Sequence, residues 1–66
     1  MESFNGVTPK YAIGQRVQLR ESEQRGLVVG LAVYQDRTAP DYCVRLRNAA
    51  GDQVTEWHGE TGLQAA

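Results

Sequence analysis

The side chains most able to do acid–base chemistry stand close together near the C-terminal end, as Glu56, His58 and Glu60. General acid–base catalysis needs titratable groups that are held together in a cleft. On an extended strand Glu56 and His58 would share a face, because successive side chains alternate. We interpret these residues as an exposed polar pair beside a turn. The sequence therefore predicts no catalytic residue and no enzymatic activity.

The lone cysteine is the second reactive group to weigh. Cys43 and Arg45 would share a strand face, and a nearby cation lowers the pKa of a thiol. No histidine is close to Cys43 in the sequence, however, and a free cysteine usually packs as a small apolar residue. One cysteine and one histidine also fall short of the usual ligand set for zinc. We expect no metal site and no cofactor.

Aromatic and arginine side chains could instead serve in binding. Tyrosine, tryptophan and arginine contribute most of the energy at protein interfaces. The predicted partner-binding residues are Tyr34, Arg45, Arg47, Trp57 and His58. The sequence favours Trp57 as a core residue that caps one end of the domain, and an exposed Trp57 that contacts a partner is the alternative.

Charge is unevenly distributed and leaves nucleic-acid binding as an alternative. Residues 1–47 carry all seven basic residues and five acidic ones, while the rest of the chain has three acidic residues and none that is basic. Arg45 and Arg47 share one predicted strand face, and Arg16 and Arg20 share another. If the two strands lie on one side, four guanidinium groups form a stripe. The net charge of −1 and the pI near 5.7 argue against a dedicated nucleic-acid binder.

Strand patterns account for most of the chain. Polar and apolar residues alternate over 15–20 and 41–47, as expected for half-buried strands. The run 27–34 is rich in β-branched residues, and Gly30 in its middle indicates a bulge or bend. Residues 53–57 form the returning strand of a hairpin. The turn before them contains Gly51, which suits a positive φ.

The spacing of the strands predicts an all-β domain. Four clear strands, a fifth near the C-terminus and no convincing helix indicate a small five-stranded SH3-like barrel with a short terminal turn. An open four-stranded meander that dimerises to cover its face is the alternative. The expected organisation is a flexible N-terminal tail over 1–10, the barrel over 11–64 and a frayed end at 65–66.

Size and composition exclude several classes of protein. The chain has 66 residues, of which 41% are hydrophobic, and no run is long enough to span a membrane. A domain of this size is marginally stable alone, so both a monomer and a homodimer are open. The N-terminal residues show no basic start followed by an apolar stretch, which is the pattern of a secretory signal. We expect a cytoplasmic protein that does not bind membranes.

The sequence resembles small uncharacterised proteins of tailed bacteriophages and prophages. The resemblance covers residues 11–63 and depends on the segments YAIGQRVQL, GLVVGLAVY, PDYCVRL and GDQVTEWHGETGL. It implies an SH3-like fold in a bacterial host and no established activity. That group tends to show two adjacent tryptophans, where this chain has Trp57 followed by His58.

A weaker resemblance links the chain to the plasmid-borne type II dihydrofolate reductases, which are SH3-like barrels that form a tetramer around a pore. The shared elements are GQRV, the glycine–valine–glycine spacing from Gly26 to Gly30, and TAPDYCV. The family carries Val–Gln–Ile–Tyr on the strand after the hairpin and a lysine after the first strand's valine. Here residues 53–57 read QVTEW, and Leu19 stands near the lysine position. The resemblance therefore implies shared architecture.

Together these observations predict a non-enzymatic small β-barrel of phage or prophage type that binds a host or phage protein. Nucleic-acid binding through the arginine faces is the first alternative, and a reductase-like enzyme is the second.

Overall fold

The computed structural model describes residues 8–66, and residues 1–7 of the expected N-terminal tail lie outside the described part. Five antiparallel strands form one sheet in the order β4-β3-β2-β1-β5. The strands are β1 (Arg16–Leu19), β2 (Arg25–Ala32), β3 (Asp41–Arg47), β4 (Gln53–Gly59) and β5 (Leu63–Ala65), with a short 3₁₀ helix (Glu60–Gly62) between the last two. The prediction of an all-β fold with five strands and a short terminal turn is confirmed. The sheet is not closed, because β4 and β5 form its two edges.

Alternation places one side chain in two towards the core. The buried apolar residues are Tyr11, Val17, Leu19, Val28, Tyr42, Val44, Leu46 and Leu63, with Leu31 and Val54 partly buried against them. Tyr42, Val44 and Leu46 come from the strand whose alternation is clearest in the sequence. Leu63 is fully buried at the end of the terminal turn, as the sequence predicts. Within residues 8–66 no helix is long and apolar enough to cross a membrane.

Glycines bend and join the strands where the sequence predicts. The ladder between β2 and β3 shifts register between Val28 and Gly30, which leaves Val29 as the extra residue of a β-bulge. Gly51 has a φ of 87° in the hairpin between β3 and β4. Gly26 has a different role, since an added Cβ would lie 2.5 Å from Val44 Cγ1. Two strands therefore approach closely at Gly26.

Both ends of the described chain are tied to the sheet. The backbone N–H groups of Lys10 and Tyr11 donate to Tyr42 Oη at 2.9 and 3.3 Å. At the other end, β5 pairs with β1, and Ala65 stands opposite Val17. The strand thus includes Ala65, one of the two residues that the sequence suggested would fray.

Candidate binding face on the sheet

One face of the sheet carries a row of side chains that crosses four strands. Arg16 of β1 stands opposite Leu27 of β2, Leu27 stands opposite Arg45 of β3, and Arg45 stands opposite Thr55 of β4. Residues that are directly opposite in a ladder point to the same face. We call this the outer face, because the core side chains cover the other side of the sheet.

A second row on the outer face brings a tryptophan into solvent. Gly30 stands opposite Cys43, and Cys43 stands opposite Trp57. Gly30 contributes no side chain, so nothing from β2 covers this row. Trp57 is 59% exposed, and Cys43 is half-buried with a free thiol. The expectation that Trp57 belongs to the core is wrong. The parity of β4 explains this, since Glu56 stands opposite the buried Val44 and its neighbour Trp57 must point outwards.

Four arginines line an open groove of about 770 Å³ across this sheet. Arg16, Arg25, Arg45 and Arg47 line it together with apolar and amide groups, among them Leu27 and Gln53, and no aspartate or glutamate is among the lining residues. We call this the arginine groove. Its location agrees with the stripe proposed from the sequence in three of the four arginines. The fourth member is Arg25 instead of Arg20.

Most of these guanidinium groups have no partner among residues 8–66. Arg47 donates from Nη1 to the carbonyl oxygen of Gly51 at 2.9 Å. Within residues 8–66, the side chains of Arg16, Arg25 and Arg45 make neither a hydrogen bond nor an ion pair, and the ion pairs that do form involve other residues. An anionic group that enters the groove can therefore form charge-assisted hydrogen bonds with free donors. A carboxylate or phosphate can accept from one guanidinium in bidentate geometry.

Arg20 and Arg25 exchange roles for a simple structural reason. β1 ends at Leu19, so Arg20 leaves the strand, and its Nε donates to the carbonyl oxygen of Leu63 at 3.0 Å. Arg25 is the first residue of β2 and lies two positions before Leu27, so both side chains point to the outer face. Alternation within β2 was the signal that could have identified Arg25 from the sequence.

The remaining predicted site residues are not gathered at the groove. Tyr34 is 46% exposed after the end of β2, with the Arg37 guanidinium 5.5 Å from its ring centroid, and it is not among the residues that line the groove. His58 stands opposite the buried Tyr42 and so lies on the other side of the sheet. Its Nε2 is 2.9 Å from Glu56 Oε1, which matches the polar pair expected from their spacing.

The other polar cluster in the fold surrounds Tyr42 and joins elements rather than forming a cleft. Tyr42 Oη donates to Glu60 Oε2 at 2.7 Å and accepts the N–H groups of Lys10 and Tyr11. Burial, followed by the hydrogen bond to Glu60, raises the pKa of the Tyr42 phenol above its ordinary value. The phenol is thus held in its protonated form as a structural donor. In residues 8–66 no group of three His, Cys, Asp or Glu is arranged to hold a metal ion.

Comparison with known proteins assigns no family. No protein-family model matches the sequence, and no curated protein is significantly similar to it. The geometry and chemistry of the outer face are therefore the features that indicate a function.

Proposed function

We propose that the protein is a non-enzymatic interaction module that binds a protein partner on the outer face. The observation that carries the proposal is the arginine groove, in which Arg16, Arg25 and Arg45 are free of ion pairs within residues 8–66. Arg45 and Arg47 are among the binding residues predicted from the sequence. The partner segment is expected to carry carboxylates for the groove and an apolar side chain for Trp57.

Mixed apolar and cationic chemistry supports a protein partner over nucleic acid. Leu27 lies between Arg16 and Arg45 in the row that crosses the sheet, and Cys43 and Trp57 extend the apolar area on the same face. Aromatic and arginine residues of this kind form the energetic centre of protein interfaces. The arginines also occupy a single groove on a chain with a net charge of −1, whereas nucleic-acid domains are usually strongly basic.

The resemblance to small phage and prophage proteins supports a proposal for the fold family and the cellular role. The protein is an SH3-like barrel of phage or prophage type that acts in the bacterial cytoplasm and binds or modulates a host or phage protein. It uses no cofactor in this role.

Site-specific photo-crosslinking tests the proposed face. A benzophenone side chain replaces Thr55, which lies beside Arg45 on the outer face, or Thr61, which is exposed in the 3₁₀ helix. In bacterial cells we expect defined adducts with other proteins, identified by mass spectrometry and distinct from adducts with a second copy of this chain, from position 55 and not from position 61. Arg45→Glu should remove these adducts with other proteins, whereas Lys10→Glu, the matched charge reversal away from the groove, should leave them. Equal adducts with other proteins from both positions, or such adducts that persist in Arg45→Glu, would refute the proposal.

Nucleic-acid binding is the second candidate, because four guanidinium groups and an exposed tryptophan could hold phosphates and stack one base. Fluorescence anisotropy with single-stranded oligonucleotides over a range of salt tests it. If the four arginines contact phosphates, log K should fall against log salt with a slope of about −3. Weak binding that does not depend on Arg45 would leave the protein partner as the sole candidate.

A further inference from the structure

An open edge strand lies beside the arginine groove. β4 has seven residues and pairs only with β3 within the described chain. Edge strands are usually protected from pairing with another chain by charged side chains, especially lysine, by proline or by a bulge. The sequence of β4, QVTEWHG, contains no lysine, arginine or proline, its one carboxylate is Glu56, and its register with β3 is unbroken from Gln53 to Gly59. The opposite edge, β5, has only three residues.

The hydrogen-bond pattern shows which backbone groups face the open edge. The N–H of Asn48 donates to the carbonyl oxygen of Asp52 at 2.9 Å, so these two residues form a hydrogen-bonded pair at the hairpin end. Such pairs alternate along an antiparallel ladder. Val54, Glu56 and His58 are therefore bonded to β3, and the N–H and C=O groups of the intervening residues point towards the open edge. Those intervening residues are Gln53, Thr55, Trp57 and Gly59.

We propose that a second copy of the chain occupies this edge, with the two β4 strands antiparallel and the two-fold axis at Trp57. In this register Trp57 is opposite Trp57, and Thr55 is opposite Gly59. In the part of the chain that the structure describes, the outward backbone groups of these residues have no strand partner, so the new ladder is hydrogen-bonded. The two tryptophans meet as an aromatic cross-strand pair on the outer face. Pairing of the two β4 strands in another register would lose the Trp57–Trp57 pair.

Charge complementarity selects this register over its neighbour. With the axis at Trp57, Glu56 of each copy is opposite His58 of the other, and a ring N–H can donate to a carboxylate. These residues form the close, non-hydrogen-bonded pairs of the new ladder, where side chains interact most strongly. An axis at Glu56 would instead place two carboxylates directly opposite each other, which is unfavourable. The same complementarity already exists within one chain, where Glu56 Oε1 and His58 Nε2 are 2.9 Å apart.

The dimer would extend the outer face without covering the groove. Thr55 and Trp57 belong to the same face as Arg45, so the paired strands set two arginine grooves on one continuous surface. The inference does not rest on the proposed function. Edge pairing uses the backbone groups of β4, whereas the binding proposal depends on the guanidinium groups of other strands, and Trp57 is the one side chain that both proposals use.

Sedimentation equilibrium of the purified full chain, from low micromolar to submillimolar concentration, tests the dimer. We expect a reversible monomer–dimer equilibrium. Thr55→Pro should weaken it at least tenfold, because the N–H that is lost points towards the partner and not towards β3. Circular dichroism checks that the variant monomer keeps its sheet. A monomer throughout, or a dimer unaffected by Thr55→Pro, would overturn the inference.

Charge variants at Glu56 and His58 test the proposed dimer if the proline variant does not fold. Glu56→Gln should weaken the dimer about fivefold in the register with the axis at Trp57, and would strengthen it if the axis were at Glu56. Glu56→Lys alone should weaken association, and Glu56→Lys combined with His58→Glu should restore it. If the substitutions at Glu56 and His58 do not change association but Arg45→Glu abolishes it, the self-interface lies on the arginine groove, which would contradict β4 pairing.

Discussion

Tyr42→Phe removes one oxygen atom and with it a junction that ties three parts of the chain. Tyr42 Oη donates to Glu60 Oε2 at 2.7 Å and accepts the N–H groups of Lys10 at 2.9 Å and of Tyr11 at 3.3 Å. The ring is fully buried and contacts Tyr11 edge-on, with 5.3 Å between the centroids. Phenylalanine keeps this packing, so the substitution isolates the hydrogen bonds.

The expected loss follows from the partners that each bond leaves behind. The bond to the Glu60 carboxylate contributes about 2 kcal/mol, because one member is charged. The Lys10 N–H retains a contact with Glu60 Oε2 at 3.3 Å, so its loss is small. The Tyr11 N–H is buried and loses its acceptor, which costs about 1 kcal/mol. We therefore expect Tyr42→Phe to lower the free energy of unfolding by about 3 kcal/mol, or the Tm by more than about 10 °C.

Urea unfolding followed by circular dichroism measures this difference, and Tyr11→Phe is the matched control. Tyr11 Oη donates only to the carbonyl oxygen of Leu63 at 3.1 Å, and that oxygen also accepts from Arg20 Nε. Tyr11→Phe should therefore lose about 1 kcal/mol or less. A Tyr42→Phe variant that is as stable as Tyr11→Phe would refute the assignment of the junction.

Two further predictions concern stability. Because the pKa of Tyr42 is raised in the folded state, its contribution is complete below the unfolded tyrosine pKa of about 10 and is lost as the pH rises through the folded value. Wild-type stability should fall in that alkaline range more steeply than that of Tyr42→Phe, and parallel pH profiles would contradict this. Gly26→Ala should lose about 2 kcal/mol in urea unfolding, because its Cβ would lie 2.5 Å from Val44 Cγ1 and 2.8 Å from the Arg45 carbonyl oxygen. Gly62→Ala, where nothing lies within 4 Å, is the control, and equal losses would refute the close approach.

The core of the fold was predictable because its pattern is local. The alternation of Tyr42, Val44 and Leu46 identifies a strand and its buried face without knowledge of its neighbours. Gly30 marks the bulge for a similar reason, since a glycine within a strand has few other uses. Gly51 likewise predicts the hairpin that joins β3 to β4, because glycine readily adopts the positive φ of the turn.

The candidate site was only partly predictable, because it depends on register. In β4 both alternating sets of side chains contain polar and apolar residues, so the pattern does not show which set faces the core. Hydrophobicity alone therefore predicts a core position for Trp57. Only the pairing of Glu56 with Val44 reveals that Trp57 points outwards. The groove has the same dependence, since the length of β1 decides that Arg20 leaves the sheet while Arg25 joins Arg45.

The most direct test of the binding face is an NMR titration of the arginine Nε–Hε signals with a short glutamate oligomer at low salt. We expect saturable shifts for Arg16, Arg25 and Arg45, whose guanidinium groups are free within residues 8–66. Arg20 should not shift, because its Nε–H is bonded to the carbonyl oxygen of Leu63. A lysine oligomer should produce no comparable change. Equal shifts at Arg20 and at the groove arginines, or no shifts at the groove arginines, would contradict the proposed binding face.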